Sequence, residues 1–353
     1  MSINMQEILL DSVEHILKDH CSRELVNASE EGNWPSELWE VLEEAQLTLL
    51  GKKEWTEEFG GEFKTAFEIL KLMGKYAAPI PIAENILVNW IGSKYHFDDI
   101  EGRSTLKVDL EEKLLVEKQN ETYIVSGKLN KVKWARICHQ VLTLIDFGDQ
   151  THLSIIPLDN AQFEKNQNLA GEYLDDIVFN NVELHSIQFR EVNPQSMVAE
   201  VKELGALAYA SMMTGAMEEI LELSVLYSKE REQFGRPLHR FQAIQQMLAS
   251  LTGNVVSGKT ITEAAINALE RENFNLIVAV AKLRLNRLSG TINEIAHQIH
   301  GAIGVTHEHR LQQMTRRLWA WREEYGSEPY WREKIKHNLT NNFKSTLWGT
   351  ITT

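Results

Sequence analysis

Hydrophobic and polar positions follow three successive patterns along the chain. In residues 1–100 apolar residues recur every three or four positions, which predicts short helices. Pro35 stands at a predicted helix start, and the Gly60–Gly61 pair stands in a connection. The four helical segments are "MQEILLDSVEHIL", "PSELWEVLEEAQLTLLG", "FKTAFEILKLMGKY" and "AENILVNWIGSKY". We therefore expect an N-terminal helical bundle.

Residues 101–193 have the pattern of β-strands. The segments are short, rich in β-branched residues and bounded by turn residues such as Gly127 and Gly148. They are "TLKVDL", "KLLVEK", "TYIVSG", "QVLTLIDFG", "HLSIIPLD" and "DIVFNNVEL". Six or seven strands without helices between them predict an antiparallel β-barrel or sandwich.

Residues 194–353 return to a helical period in longer segments. Helices are predicted at about 200–230, 239–271, 273–300 and 308–324, with a last piece after Pro329. Long helices with short connections predict a C-terminal four-helix bundle, in which facing apolar stripes bury one another. The predicted fold class is thus α+β, in the order helical domain, β domain, helical domain.

Composition and charge exclude several function classes. The formal net charge of -14 argues against a nucleic-acid partner, which would require clustered Lys and Arg. The two cysteines, Cys21 and Cys138, form neither a disulfide framework nor a CxxC pair, so we expect a reduced, cytoplasmic setting. The amphipathic start has no signal-peptide pattern, and "LIVAVAKL" at 276–283 is too short to cross a membrane.

The junction "QFGRP" separates two long helical patterns and carries candidate chemistry. Arg231 and Arg236 flank this turn, and Pro237 suits the first turn of the next helix. Two guanidiniums beside exposed backbone N–H groups could hold a diphosphate. The alternative is that an arginine at a helix C-terminus simply complements the helix dipole.

Two longer strings resemble a known family. "YSKEREQFGRPLHRFQAIQQMLASL" resembles the acyl-CoA dehydrogenase signature R-x-Q-F-G-x-P-[LI]-x-x-F-Q-x-[IV]-Q-x-x-L-A, and "AHQIHGAIGVTHEHRLQQMTRR" is similar to its Q-x-x-G-G-x-G-[FY]-x-x-E segment. The α–β–α order agrees with the three domains of that family. The resemblance implies an acyl-CoA dehydrogenase-like fold and FAD as the cofactor.

The resemblance also implies roles for individual residues. The flavin site is shared between subunits in this family, which implies an obligate oligomer, usually a tetramer. "NKVKWARICHQVLTL" resembles the strand near the flavin ring, so Trp134 is a flavin candidate, with a position in the core as the alternative. The family's T-E-P-x-x-G-S-D loop has no counterpart in "STLKVDLEEKL". The other cofactor-binding candidates are Arg231, Gln233, Phe234, Phe241, Gln242, Gln298, His300, Gly301 and Ala302.

The position of the catalytic base departs from the family pattern. The family's reaction removes an α-proton from a CoA thioester while hydride leaves the β-carbon, and a carboxylate with a raised pKa suits this task. The Y-E-G-T motif corresponds to "EEYGSEP", which places Tyr325 at the base position and Glu324 beside it. The other family position for a base falls on Gly205. Glu324 is therefore the candidate base, and a solvated helix end is the alternative.

Two main hypotheses follow from the resemblance. The chain is either an FAD-dependent acyl-CoA dehydrogenase acting on an acyl-CoA, with Glu324 as base and an electron-transfer protein as acceptor, or a subunit without a base that completes flavin sites in a heterotetramer with a homologous chain. A flavin oxidase or monooxygenase is a third reading. No metal site is expected, because the spacing of His297, His300, His307 and His309 fits no coherent site.

Overall fold

A computed structural model describes residues 5–53, 55, 63–97 and 100–341, so the Gly60–Gly61 pair lies outside the described residues. The chain divides into two compact units, each built from separate stretches of sequence. One comprises Met1–Ala28, Phe67–Ala78 and Ala206–Thr353, and the other comprises Ser29–Ala66 and Pro79–Gly205. The boundaries 1–100, 101–193 and 194–353 remain predictions from the sequence.

The N-terminal region contains helices where the apolar period predicted them. An additional helix, α2, begins beside Ser22, whose Oγ accepts a hydrogen bond from the Leu25 N–H at 3.1 Å and so caps the first turn. The helices are α1 (Met5–His20), α2 (Arg23–Glu30), α3 (Ser36–Glu44), α4 (Phe63–Lys75) and α5 (Ile82–Lys94).

Two buried asparagines attach α5 to its surroundings. Asn85 and Asn89 donate to the Thr48 carbonyl at 2.7 and 2.9 Å, and Asn89 also donates to the Leu50 carbonyl. The Asn85 Oδ1 accepts from the Ser104 N–H, at the start of the first strand, at 3.0 Å. Because these amides satisfy backbone groups that have no helix or sheet partner, they fix α5 against both a loop and the β-sheet.

The middle region forms an eight-stranded sheet in the order β6-β7-β3-β2-β4-β5-β8, with β1 paired to β4. The prediction of a β domain is confirmed. The strands are β1 (Ser104–Lys107), β2 (Leu114–Gln119), β3 (Thr122–Lys133), β4 (Gln140–Phe147), β5 (Gln150–Pro157), β6 (Gln162–Glu164), β7 (Leu174–Leu184) and β8 (Gln188–Glu191).

The sheet differs from the prediction in being mixed. Strands β1 and β2 both pair with β4 in parallel, and the remaining pairs are antiparallel. Ser104 lies opposite Gln140, whereas Leu114 lies opposite Ile145, so the two short strands follow one another along the same edge of β4. The chain leaves the sheet after β1 and rejoins it in the same direction, which the strand patterns alone do not reveal.

One face of the sheet supplies the core of the β domain. In β2, Leu114 and Val116 are fully covered while Leu115 between them is 48% exposed. This alternation follows from the two-residue period of a strand. Val125 and Phe179, from β3 and β7, lie in the same cluster of buried residues.

The C-terminal region contains five helices among the described residues. Helix α6 is buried on every side between residues 206 and 217, as expected for the central helix of a bundle. The fourth predicted segment, 308–324, is shorter in the structure and begins at Leu311, whose N–H donates to His309 Nδ1 at 3.1 Å. The helices are α6 (Pro194–Glu230), α7 (Gln242–Asn267), α8 (Phe274–His300), α9 (Leu311–Trp321) and α10 (Glu328–Asn341).

Helices α4 and α6 touch backbone to backbone through two glycines. A Cβ added at Gly74 would lie 2.0 Å from the Met212 carbonyl oxygen, and one added at Gly215 would lie 1.8 Å from the Lys71 carbonyl oxygen. Both distances are far inside van der Waals contact, so each position requires glycine. No helix in the described part of the chain combines the length and the apolar character that a membrane span needs.

Candidate functional site

The corner after α6 is a short β-hairpin. Glu232–Gln233 pairs antiparallel with Arg236–Pro237. Phe234 and Gly235 form its tip and have φ values of 51° and 77°. Two consecutive positive φ values are typical of the type I′ turns that suit two-residue hairpins. Backbone pairing therefore fixes the corner before α7 begins at the exposed Gln242.

The hairpin presents cationic and aromatic side chains to solvent. Arg231 and Gln233 are exposed, and Phe234 is 92% exposed. The Arg236 guanidinium lies 4.1 Å from the centroid of the half-buried Phe241 ring, which meets the Phe234 ring edge-on at 6.2 Å. No carboxylate among the described residues pairs with Arg231. Its charge is therefore available to an anion.

A second segment follows the end of α8. Gln298, Gly301 and Ala302 are exposed there. Gly301 has φ 65° and ψ -146°, a conformation that residues with a Cβ rarely adopt. Gly304 is buried, and a Cβ at that position would lie 3.0 Å from the His300 Cβ. These glycines give the segment its close turn and leave its outer face open.

The side chain of His300 points into the protein. It is 3% exposed and stacks on Tyr227 with ring centroids 4.6 Å apart. Its Nδ1 lies 2.8 Å from the Ala296 carbonyl, so this nitrogen carries the proton. Burial lowers the pKa of His300 to about 4. The imidazole is therefore buried, whereas Gln298 is exposed. The ring of His300 is not open to a flavin on this surface.

The candidate base lies in a tight turn after α9. Glu324 is half-buried. Tyr325 and Gly326 both have positive φ, at 51° and 120°. The Tyr325 ring packs against Tyr209 of α6 at 5.4 Å, and Tyr209 meets Trp321 edge-on at 6.2 Å. The phenol at the family's base position is thus a packing group, and the carboxylate is its neighbour.

A buried lysine lies beneath this turn. Lys282 of α8 is 0% exposed, and its Nζ donates to Asn286 Oδ1, the Trp321 carbonyl and the Arg322 carbonyl at 2.9, 3.0 and 3.1 Å. Burial lowers the pKa of Lys282 to about 7, and the Glu324 carboxylate acts in the opposite direction. The ammonium therefore binds the C-terminal carbonyls of α9.

Sequence reasoning missed Lys282. The available signal was a lysine inside the apolar run "LIVAVAKL", where a charge has no exposed helix face to occupy. Asn286, one helical turn later, donates to the Gly326 carbonyl at 3.3 Å. Together the two side chains hold the turn that carries Glu324.

Comparison with known proteins identifies the scaffold. Residues 199–339 match the family described as the acyl-CoA dehydrogenase C-terminal domain. The C-terminal part of the chain, over these residues, belongs to the acyl-CoA dehydrogenase family. Its N-terminal helices, central β-sheet domain and C-terminal helical domain are those of the acyl-CoA dehydrogenase fold. The family and the fold expected from the two sequence motifs are thereby confirmed.

Three relatives of the acyl-CoA dehydrogenase family illustrate the range of likeness. The acyl-CoA dehydrogenase IpdE2 of Mycolicibacterium smegmatis is 24% identical, over 87% of this chain and 90% of its own length. The caffeyl-CoA reductase-Etf complex subunit CarC of Acetobacterium woodii is 24% identical over 69% and 65%. A chain of the ChsE4-ChsE5 complex from Mycobacterium tuberculosis superposes with a TM-score of 0.79 at 16% identity, over 97% and 98%.

The two residues that the sequence resemblance places at the family's base positions, Gly205 and Tyr325, bear no carboxylate. Gly205 is buried within α6 and brings no functional group. Tyr325 lies in the turn after α9, where its ring packs against Tyr209. Among the titratable residues described here, no group of three or more His, Cys, Asp or Glu side chains could hold a metal ion.

Trp134 lies in the hydrophobic core of the β domain. It is 3% exposed, and its ring meets Tyr173 edge-on at 5.6 Å within a cluster of buried residues. Its φ of 58° is unusual for a residue with a Cβ. The position agrees with the core alternative, so Trp134 is not included among the proposed flavin contacts.

The exposed donor set fits part of an FAD site. A diphosphate requires cationic and N–H donors, which Arg231 and Arg236 supply from one face of the hairpin. Gln298 and the open backbone at Gly301 offer further hydrogen-bonding groups on the second segment. All four residues lie at the surface of the single chain. They would therefore form one side of an FAD site and do not enclose a pocket by themselves.

Proposed function

We propose that this chain takes part in the FAD-dependent α,β-dehydrogenation of a CoA thioester, as a subunit whose hairpin completes the flavin site of an adjoining chain. The observation that supports this most directly is the exposure of the hairpin. Phe234 is 92% exposed at the tip of a rigid turn, beside two exposed guanidiniums. An exposed aromatic ring with adjacent arginines has the composition of an interface centre.

The proposed flavin contacts come from the two exposed segments. Arg231 and Arg236 would neutralise the diphosphate, and Gln233 and Gln298 would donate or accept hydrogen bonds. Phe234 would pack against the adenosine half. When bound, FAD supplies the acceptor for the hydride that leaves the β-carbon. Phe241 and Gln242 support the hairpin from the start of α7, and Gly301 and Ala302 offer open backbone.

We propose a homologous chain as the partner. One structural neighbour comes from the ChsE4-ChsE5 complex, and one relative is a subunit of the caffeyl-CoA reductase-Etf complex. By analogy, the assembly here would be a heterotetramer or a homo-oligomer, with an electron-transfer protein as acceptor. The net charge of -14 is unfavourable for self-association, because identical chains repel one another, which favours a partner of different charge.

Glu324 is the candidate base of this chain. Its carboxylate is half-buried, in the turn that Lys282 and Asn286 hold at the end of α9. An ionised carboxylate can accept the α-proton of an acyl-CoA. The second candidate function, a subunit that completes flavin sites without a base, is favoured by Tyr325 and Gly205 at the usual base positions.

Co-expression with a homologous acyl-CoA dehydrogenase chain tests the flavin role. The assembled protein should be yellow, and Arg231→Ala should weaken FAD retention by about 1.5–3 kcal/mol, the usual range for hydrogen bonds to a charged group. Flavin absorbance per protein after gel filtration measures this. Arg271→Ala is the matched control, because Arg271 is an exposed arginine between α7 and α8. Equal flavin content in both variants would remove the hairpin from the site.

Glu324→Gln tests the base. If Glu324 accepts the α-proton, anaerobic bleaching of the flavin band by saturated acyl-CoAs should slow by at least ~100-fold, the lower end of the range for general-base catalysis. Glu323→Gln is the control, because Glu323 is 58% exposed and pairs with Arg322. Bleaching at the wild-type rate in Glu324→Gln would exclude Glu324 as the base. It would support the second candidate function, a subunit that completes flavin sites without a base.

A further inference from the structure

Three aromatic rings from three segments meet between the two proposed flavin-binding segments. Tyr227 lies in the last turn of α6, and His300 is the last residue of α8. Their rings stack at 4.6 Å with an interplanar angle of 23°. His309 meets Tyr227 edge-on at 6.1 Å and His300 at 4.8 Å. We name Tyr227, His300 and His309 the ring cluster.

The ring cluster lies directly behind both segments. The Arg231 N–H donates to the Tyr227 carbonyl at 2.9 Å, so the hairpin begins one helical turn beyond Tyr227. Gly301 follows His300 immediately and turns the chain outward. The position of one ring against the other therefore sets the distance between the starts of the two segments.

Further contacts leave the ring cluster little freedom. His239, beyond the hairpin, lies with Nδ1 3.3 Å from the Ser228 carbonyl, next to Tyr227. On the other side, Gly304 packs so closely on His300 that a Cβ would lie 3.0 Å from the His300 Cβ. His300 is 3% exposed. A shift of either ring would thus require movement of the segment attached to it.

We infer that Tyr227, His300 and His309 are positioning residues that hold the hairpin and the 301–305 segment in one geometry, ready for a single ligand. This inference rests on the proposed flavin role of the two segments. Aromatic ring pairs stabilise a structure beyond the burial of their surface, so these contacts favour one arrangement of the two segments. Removing one ring would allow the segments to move separately.

Hydrogen exchange and flavin retention together test the positioning role. In the isolated chain, Tyr227→Leu should speed amide exchange at least fivefold in both 231–238 and 301–305. In the assembled, co-expressed protein the same variant should raise the FAD dissociation constant about tenfold. Tyr227→Phe keeps the aromatic ring, so both measurements should return to wild-type values. A loss of packing unrelated to the ring would not be restored in this way.

The control is Tyr123→Leu, which removes a half-buried tyrosine that contacts Phe147 in the β domain. Both segments should then exchange at the wild-type rate. If Tyr227→Leu fails to fold, His309→Leu takes its place, because His309 is half-buried. Faster exchange in the hairpin alone, or unchanged FAD affinity, would overturn the inference. Coupled exchange in an assembly that binds no FAD would instead refute the proposed function while preserving the link between the segments.

Discussion

At the scale of single residues, Lys282 is the least expected feature. A lysine that is fully buried must lose its hydration, and here three oxygens replace the water, two of them C-terminal carbonyls of α9. The helix dipole places negative potential at that end. The three oxygens match the three N–H donors of the ammonium, but charging the buried side chain remains costly, as the lowered pKa of Lys282 indicates.

Lys282→Met should change how stability depends on pH. The pKa of Lys282 falls from 10.5 to about 7 in the folded state, so the unfolded chain binds more protons between these values. Wild-type stability should then rise with pH across this window, by up to about 1.4 kcal/mol per pH unit. Urea unfolding at pH 7, 8.5 and 10 measures the slope. Lys282→Met should lack this contribution, and Lys259→Met, which removes a lysine with 46% exposure, should keep it.

The direction of individual side chains could not be predicted from the sequence motifs. The motif around Arg231 identified surface chemistry, because the hairpin residues are exposed in the structure. The same kind of alignment named His300 and Trp134, whose rings are buried. A sequence pattern places a backbone position in a segment, but it does not reveal whether a ring stacks inward on a Tyr227 that lies elsewhere in the chain.

At the scale of helices and strands, element positions followed the apolar period, and element ends depended on local polar contacts. The helix predicted from residue 308 begins at Leu311, where the backbone N–H donates to His309 Nδ1. The parallel pairing of β1 and β2 with β4 could not be predicted, because pairing partners are a property of the whole sheet. Periodicity describes which face a residue occupies, and it carries no information on neighbouring strands.

Gly215→Ala tests the backbone contact between α4 and α6. A methyl group 1.8 Å from the Lys71 carbonyl oxygen would force the helices apart, so we expect a loss of about 2–4 kcal/mol, the range of overpacked or displaced cores. Gly253→Ala in α7 is the control, since no atom lies within 4 Å of its added Cβ. That change should be neutral or stabilising by up to ~1 kcal/mol. Urea midpoints of both variants at one pH would settle the comparison.

At the scale of the whole molecule, the two compact units are each assembled from stretches far apart in sequence. The N-terminal helices divide between them, because residues 1–28 and 67–78 belong with the C-terminal helices. Neither unit can therefore be cut out as one continuous segment. Truncations at residues 100 and 193, the boundaries predicted from the sequence, would separate stretches that belong to the same compact unit.

The buried histidines should make the molecule sensitive to acid. Burial lowers the pKa of His297, His300 and His309, and that of His300 falls from 6.5 to about 4. The unfolded state then binds more protons between pH 6.5 and 4, so stability should fall as pH falls, by about 1–3 kcal/mol for His300. His300→Phe should reduce this loss relative to the exposed control His307→Phe, as measured by thermal unfolding at pH 7 and 5. Equal losses in the two variants would contradict the assignment.

The exposed ring of Phe234 has a consequence for the cell. On the proposed assembly, a chain made in excess of its partner would keep this phenylalanine 92% exposed to water, at the tip of a two-residue hairpin loop. Chaperones and proteases select such unburied apolar groups. We expect surplus copies to be degraded faster than assembled ones, which would keep the supply of the two proposed chains in step.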